Sequence, residues 1–375
     1  MSIEHDIYTR LSERVGVTGY PRYVKILEAE LTPEEAKILV ELVDGTPPGK
    51  LAEELNISIE TLHSKIADLR HKGALQLRPT GYALPQSPRF FYRRGDTPEL
   101  LKLWHDFFHS GDYPEIHVHH IQERARKTGG RRSHKVIPAR QALLASPNLK
   151  KEEILWYEDM GQILGRAKNR YQNGMQEDGS LVAREGCGCR RYWGVCESPG
   201  GCTGWEWKEG EWPTDETIEF ERARPTVHSQ RKPISLERAL AACDEMENFG
   251  QVHISPNTGQ ITSTCNCCEC DCEILHGMKN FGNIYEMLSP SRFRAVIDEQ
   301  KCQGCQTCVE RCHFDAIEMK KVPGSKKMKA FIIDEHCMGC GLCIFKCPNQ
   351  ALRFELVRPP EHVPTIPMNV MFGGR

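Results

Sequence analysis

The chain has 375 residues, 39% hydrophobic and 27% charged, and Lys+Arg 49 against Asp+Glu 51 leaves a formal net charge of -2. Such a composition belongs to a folded, water-exposed protein of two or three compact units, and it argues against wholesale disorder and against a polyanion binder defined by bulk charge. No apolar run is long enough for a membrane-spanning helix, and the opening MSIEHDIYTRLSERVGV lacks the basic start and apolar core of a signal peptide, so a cytoplasmic protein without a membrane span is expected.

Residues 32 to 85 read as a small helical unit. Thr32, Pro33 and Glu35 form a helix start, and Ile38, Leu39 and Leu42 give the helix one apolar face. Gly45 and the Pro47/Pro48 pair end it. Leu51, Ala52 and Leu55 predict a second helix; Ile59, Leu62, Ile66 and Leu69 predict a third, with Ser58 as cap and Gly73 as stop. ALQLRPTGYALP then predicts a two-stranded wing turning at Thr80-Gly81, completing the layout of a winged helix. The charge of the unit argues against DNA binding. It carries eight acidic and six basic side chains, and the recognition-helix position offers Lys65 and Arg70 against Glu60 and Asp68. A structural or docking role is the stronger expectation.

Residues 96 to 180 read as mostly helical. Within them QERARKTGGRRSHKVIPAR sets Arg124, Arg126, Lys127, Arg131, Arg132, Lys135 and Arg140 against a single acid, Glu123. Such a run is a solvated loop or a landing site for an acidic partner. His117, His119 and His120 alternate as in a strand and have no matching Cys or carboxylate set, so surface or core histidines are expected there.

All 18 cysteines lie between Cys187 and Cys347. Thiols so closely spaced in a reducing compartment are metal or cluster ligands more often than disulfides. Cys187, Cys189, Cys196 and Cys202 follow one irregular spacing, and CNCCECDC packs Cys265, Cys267, Cys268, Cys270 and Cys272 into eight residues. Neither spacing suits a ferredoxin. An additional cluster or zinc site built from a subset of these nine is expected, with Cys243 as a buried bystander on a helix.

The C-terminal runs are more specific. CQGCQTCVERC (Cys302, Cys305, Cys308, Cys312) and CMGCGLCIFKC (Cys337, Cys340, Cys343, Cys347) share the spacing C-x2-C-x2-C-x3-C and superimpose at an offset of 35. Asp315-Ala316-Ile317-Glu318 answers Gln350-Ala351-Leu352-Arg353, while Val296-Ile297-Asp298-Glu299 answers Ile332-Ile333-Asp334-Glu335 with one residue of slippage. In two-cluster proteins of this spacing each fourth cysteine serves the other half's cluster. Cys302, Cys305, Cys308 and Cys347 are therefore expected to hold one [4Fe-4S] cluster, and Cys337, Cys340, Cys343 and Cys312 the second. A lysine-rich hairpin between the runs (Lys320, Lys321, Lys326, Lys327, Lys329) is a candidate docking patch for a redox partner.

Residues 291 to 356 resemble the bacterial dicluster ferredoxins, with His313 where the first run ordinarily carries Pro; Pro348 keeps it in the second. The wider order of winged-helix-like start, Val136-Ile137-Pro138, Cys187-Gly188-Cys189-Arg190, Cys265-Asn266-Cys267-Cys268 and ferredoxin tail resembles a group of 4Fe-4S ferredoxin-domain proteins of anaerobic microbes. The resemblance implies an electron carrier or an electron-transfer subunit of an oxidoreductase complex. Neither G-x-G-x-x-G after a strand nor a phosphate loop is present, so a flavin or nicotinamide would sit on a redox enzyme or flavoprotein partner.

The expected architecture is an α+β multidomain chain: a winged-helix-like domain over 1–95, a helical connecting region over 96–180, a Cys-rich domain over 181–290, a pseudo-twofold βαβ dicluster domain over 291–356 and a tail over 357–375. A redox-sensing winged-helix regulator, and an iron–sulfur enzyme with an open site made of the extra cysteines, are the competing expectations.

Overall fold

The computed structural model describes residues 3–72, 74–78, 81–84, 97–171, 181–184, 202–204, 231–259, 261, 263–270, 272 and 274–365. These residues fall into two compact units, and the division lies between His117 and Val118. Residues of the expected helical connector thus belong to both.

The first unit begins with helices α1 (Ile3–Arg14), α2 (Pro21–Glu30), α3 (Pro33–Glu41), α4 (Pro48–Leu55) and α5 (Ile59–His71). Local chemistry sets their ends. Thr32 and Glu35 form a reciprocal capping box, the Glu35 carboxylate accepting from Thr32 N at 2.8 Å and Thr32 Oγ1 from Glu35 N at 3.3 Å. Pro33 and Pro48 open α3 and α4, where a missing N–H costs nothing. Arg14 donates to the carbonyls of Leu39, Val40 and Leu42, satisfying the C-terminal end of α3. Asn56 ends α4 in the left-handed region.

Strands β1 (Gln76–Arg78) and β2 (Gly81–Ala83) follow as an antiparallel hairpin. Gly73 and Thr80 lie outside the described residues. Helix α6 (Pro98–His109) supplies Trp104, Phe107 and Phe108 to an aromatic core with Tyr23 and Tyr113, in which Phe108 and Tyr113 stack at 4.1 Å.

Helix α7 (Asp112–Lys127) contains His117, His119 and His120, which corrects the strand expectation. Its buried side chains Tyr113, Ile116, His117 and Ile121 recur at helical spacing, and the Gln-, Glu-, Arg- and Lys-rich end favours a helix.

The second unit is built on a seven-stranded sheet with order β6-β4-β5-β8-β7-β3-β9. The strands are β3 (His134–Ile137), β4 (Leu181–Arg184), β5 (Cys202–Gly204), β6 (Arg231–Ile234), β7 (Val252–Pro256), β8 (Ser263–Cys267) and β9 (Leu288–Ser289). All pairings are antiparallel except β3 with β9. Helices α8 (Arg140–Leu144), α9 (Met160–Tyr171), α10 (Leu236–Phe249), α11 (Leu275–Phe281) and α12 (Ile284–Met287) belong to the same unit. Ser235 caps α10 and Gly250 closes it in the left-handed region.

The basic run also departs from expectation. Lys135 is buried in β3, where Nζ donates to the Tyr157 carbonyl at 3.2 Å and stands 4.6 Å from the Tyr157 ring. Burial pulls its pKa down to about 7. Arg140 is held by both oxygens of Asp244 at 2.8 Å. Neither cation is available to an acidic partner, because tertiary packing has already engaged it. The Arg124 side chain lies outside the described residues.

Two small antiparallel sheets complete the unit: β10 (Phe293–Ile297) with β13 (Leu352–Leu356), and β11 (Ile317–Lys321) with β12 (Met328–Ile332). The short helix α13 (Thr307–Glu310) follows the first cysteine loop. Phe293, Phe314 and Phe354 fill the core between these sheets. Among the described residues no helix is long and apolar enough to cross a membrane.

Candidate functional site

The two cysteine runs are related by a pseudo-twofold arrangement. Ile297 pairs with Leu352, and Ile332 pairs with Ile317, so each half's first strand is zipped to a strand beside the opposite run or its counterpart at an offset of 35. The backbone repeats accordingly. Cys302 N donates to Asp298 O at 3.0 Å as Cys337 N does to Ile333 O at 3.1 Å, and Asp298 N reaches Ala351 O at 2.7 Å as Ile333 N reaches Ala316 O at 2.8 Å. Asp298 therefore matches Ile333, not Asp334. The one-residue slippage expected from the sequence is absent: the similar Ile-Asp pairs were a coincidence of composition, and the hydrogen bonds set the register.

Positive φ values recur at matching positions: Gly304 with Gly339, Gln306 with Gly341, and Asp315 with Gln350. These residues turn the chain tightly enough to bring successive thiols to one side. A Cβ on Gly304 would stand 2.3 Å from Met328 O, and one on Gly339 2.1 Å from Phe293 O. Both loops thus rest on a strand backbone at distances that no side chain permits.

A cavity opens beneath the first loop. Its lining includes Cys302, Cys305, Cys308 and Cys347, together with Gly304, Met319 and Pro348. Three thiols of the first run and the last thiol of the second thus share one concavity. Cys302 and Cys308 are buried and Cys305 is exposed. A hydrogen bond from the Thr307 side chain, then one from its backbone, lowers the Cys305 pKa, whereas burial pushes Cys308 up to about 11.

The second set is more enclosed. Cys312 stands within electrostatic reach of Cys337 and Cys340, and Cys343 feels Cys340, Cys337 and Cys312. Burial, then the neighbouring thiols, pushes Cys340 up to about 12, and the same causes raise Cys343. Ala139 N donates to Cys340 O at 2.8 Å, and a Cβ on Gly341 would meet Ala142 Cβ at 2.5 Å. At the matching position of the first loop Gln306 is exposed. Ala139 and α8 therefore cover the second loop at Cys340 and Gly341, whereas Gln306 of the first loop is open.

The donor set fits iron–sulfur clusters on three observations. The donors are sulfur only, and three thiols of the first run share a concavity with the last thiol of the second. Backbone N–H groups point at sulfur, Ala316 N to Cys312 Sγ at 3.4 Å and Ala351 N to Cys347 Sγ at 3.3 Å. Buried thiols of raised pKa also need a cationic centre before they carry charge at neutral pH. Arg311 adds a fixed positive charge near Cys340 and Cys343 while Nε donates to Leu342 O at 2.9 Å.

His313, in the position where the second run has Pro348, is a bridge. Its Nε2 donates to Gly250 O at 2.6 Å, and its Nδ1 lies 3.8 Å from Glu269 Oε2. Lys279 joins the same group, reaching Glu269 at 2.7 Å and the His313 carbonyl at 2.9 Å. His313, then Lys279, draws the Glu269 pKa down to about 2.

The extra cysteines divide. Cys187, Cys189 and Cys196 lie outside the described residues, and Cys202 is described by its backbone position on β5, opposite Cys265. Cys265 and Cys267 sit on β8, and Cys268, Cys270 and Cys272 follow in the turn before α11. Cys243 is buried on α10, where burial first and Glu247 second push its pKa up to about 12.

One buried polar array escaped the sequence reading. Asn266 Oδ1 meets His253 Nδ1 at 2.6 Å, and His253 Nε2 meets Glu247 Oε1 at 3.1 Å. Glu247 also accepts from Arg140 N at 2.6 Å and Gln141 N at 3.0 Å. It ties the CNCC strand to α10 and to the segment that covers Cys340. No signal in one sequence joins residues so far apart.

Residues 295–354 match the family model of the 4Fe-4S dicluster domain. No curated protein and no solved structure matches the chain. The family match, with eight cysteines arranged in two related halves, makes this C-terminal segment a ferredoxin-like iron–sulfur domain.

Proposed function

We propose that the protein relays single electrons between a redox enzyme and a carrier in anaerobic metabolism through two [4Fe-4S] clusters. Cys302, Cys305, Cys308 and Cys347 hold the first; Cys337, Cys340, Cys343 and Cys312 hold the second. The observation that carries this reading is the cavity shared by three cysteines of one run and the last cysteine of the other. The clusters would supply the one-electron chemistry. The chain's part is to position and tune: Gly304 and Gly339 allow the close loop approach, Ala316 and Ala351 direct N–H groups at sulfur, and Ala142 of α8 packs close to the second loop at Gly341.

The lysine hairpin supports docking beside the first loop. Lys320, Lys321, Lys326 and Lys327 are exposed, and Lys327 Nζ reaches Gln303 Oε1 at 3.1 Å. Lys329 instead donates to the Cys302 carbonyl and serves the loop itself. Acidic redox partners would meet this face, with Cys305 at its edge.

The test is anaerobic purification with iron and sulfide analysis, followed by electron exchange with redox enzymes at increasing ionic strength. About eight irons and a rate that falls with salt and with Lys-to-Glu exchange at 321, 326 and 327 are expected. Iron-loaded protein that exchanges electrons with no redox enzyme would overturn the reading.

A redox-sensing regulator is the second reading, favoured by the order of three helices and a hairpin over residues 33–83. The pairing of Lys65 on α5 with Glu34 at 3.0 Å, and of Lys72 just after α5 with Glu35 at 2.7 Å, leaves this part of the unit poorly equipped for phosphates. Gel-shift assays in both redox states discriminate, since binding in neither removes this reading.

A further inference from the structure

Arg311 stands between two negatively polarised parts of the chain. One is the C-terminus of α10, where its Nη2 donates to Glu247 O at 2.7 Å and its Nη1 to Asn248 O at 3.3 Å. The other is the second cysteine loop, where its Nε donates to Leu342 O at 2.9 Å, between Cys340 and Cys343 in the sequence. The guanidinium also packs 5.4 Å from the Phe345 ring. Each of its three nitrogens thus has its own partner, and the half-buried charge is held in one place.

Helix capping alone does not account for this placement. Gly250 closes α10 in the left-handed region, and its N–H already donates to Met246 O and Glu247 O. No basic residue lies in the last turn of α10 itself. The partners of Arg311 are carbonyls and a ring rather than a carboxylate, and the ionisable groups that reach it are the Cys340 and Cys343 thiols. Neutral donors hold the other carbonyls of that loop: Ser291 N meets Met338 O at 3.0 Å, Ser291 Oγ meets Gly339 O at 2.8 Å, and Ala139 N meets Cys340 O at 2.8 Å. The repeat supplies a contrast. Lys346 precedes Cys347 as Arg311 precedes Cys312, but among the described residues its contact is the same Phe345 ring, at 5.8 Å, rather than a loop carbonyl.

We propose that Arg311 is the fixed counter-charge of the second cluster and stabilises its reduced form. The inference rests on the two-cluster reading above. Reduction brings one electron from the redox partner to an already anionic cluster, and Arg311 exchanges no proton because it stays charged. Burial of this enclosed cluster and the C-terminus of α10 both oppose added negative charge. A guanidinium fixed away from bulk water offsets them more strongly than a solvated cation does.

The test is a reductive titration of the full chain, purified without oxygen, using dithionite with redox mediators and followed by electron paramagnetic resonance (EPR). Cys340→Ser identifies the signal of the second cluster. Arg311→Gln should lower that cluster's potential, reducing the share of electrons it holds relative to the first by on the order of tenfold, while the first keeps its own potential. Arg311→Lys, which keeps the charge, should retain most of the wild-type value. Lys346→Gln should leave the second potential in place. Iron content and melting temperature, read alongside, separate lost loading from a shifted potential.

An unchanged second potential in Arg311→Gln, an equal shift of both clusters, or a drop as large in Arg311→Lys or Lys346→Gln would overturn the proposal. If Arg311→Gln loads no second cluster, Arg311→Lys decides. Loading near the wild-type potential supports the counter-charge; loss of the cluster from both variants makes Arg311 a structural residue and overturns it. Two signals with unmoved potentials contradict this inference alone, whereas fewer than two clusters in the wild type contradicts the two-cluster reading and this inference with it.

Discussion

His313 Nε2 donates to the carbonyl oxygen of Gly250 across 2.6 Å, joining the end of the first cysteine run to the end of α10. Arg311 reinforces the joint by donating to Glu247 O at 2.7 Å and Asn248 O at 3.3 Å, so the last carbonyls of the helix are met by a cation. His313→Pro, which installs the residue found at position 348, removes the side-chain donor. It should cost about 1–3 kcal/mol of stability while leaving iron content unchanged. Thermal melts and iron analysis of the two proteins check this, and an unchanged melting temperature would contradict it.

Glycine substitutions should separate tight loops from open ones. Gly339→Ala and Gly304→Ala force a Cβ into a strand carbonyl, and both residues have positive φ. Each should destabilise by several kcal/mol and lower cluster loading. Gly324 also has positive φ, at 81°, but nothing lies within 4 Å of an added Cβ. Gly324→Ala should therefore cost only about 1 kcal/mol, from the backbone alone. Iron per chain after anaerobic loading, compared across the three variants, reads the difference.

Lys135 sets a pH dependence. Its folded-state pKa of about 7 lies below the ordinary 10.5, because burial outweighs the attraction of Glu158. Below about pH 7 the charge is buried in the folded chain and the cost is fully present; between that value and the ordinary one the unfolded chain binds more protons, so stability rises with pH. Lys135→Met should stabilise the protein by up to a few kcal/mol at about pH 6 and by much less at about pH 9.5. Melting curves of both proteins at the two pH values test the sign.

Much of this was legible where the determinants are local. Thr32, Pro33 and Glu35 announce α3 because a capping box needs four adjacent residues. The two cysteine runs announce their relation because duplication preserves spacing. Register within that repeat was misread by one residue, since strand pairing is decided by backbone bonds such as Ile333 N to Ala316 O, which side-chain similarity does not encode. His117 to His120 alternate with apolar neighbours as a strand would, yet the helix-forming run on their C-terminal side decides the outcome. Lys135 and Arg140 read as a basic patch because their partners, Tyr157 and Asp244, are supplied by distant parts of the chain.

The crossing of ligands between halves is tested most directly by EPR on the reduced wild type and on Cys347→Ser. If Cys347 belongs with Cys302, Cys305 and Cys308, the variant loses or alters one cluster signal, and that same signal is the one disturbed in Cys305→Ser, while Cys340→Ser disturbs the other. If Cys347→Ser instead disturbs the signal affected by Cys340→Ser, each run keeps its own fourth cysteine and the account is wrong.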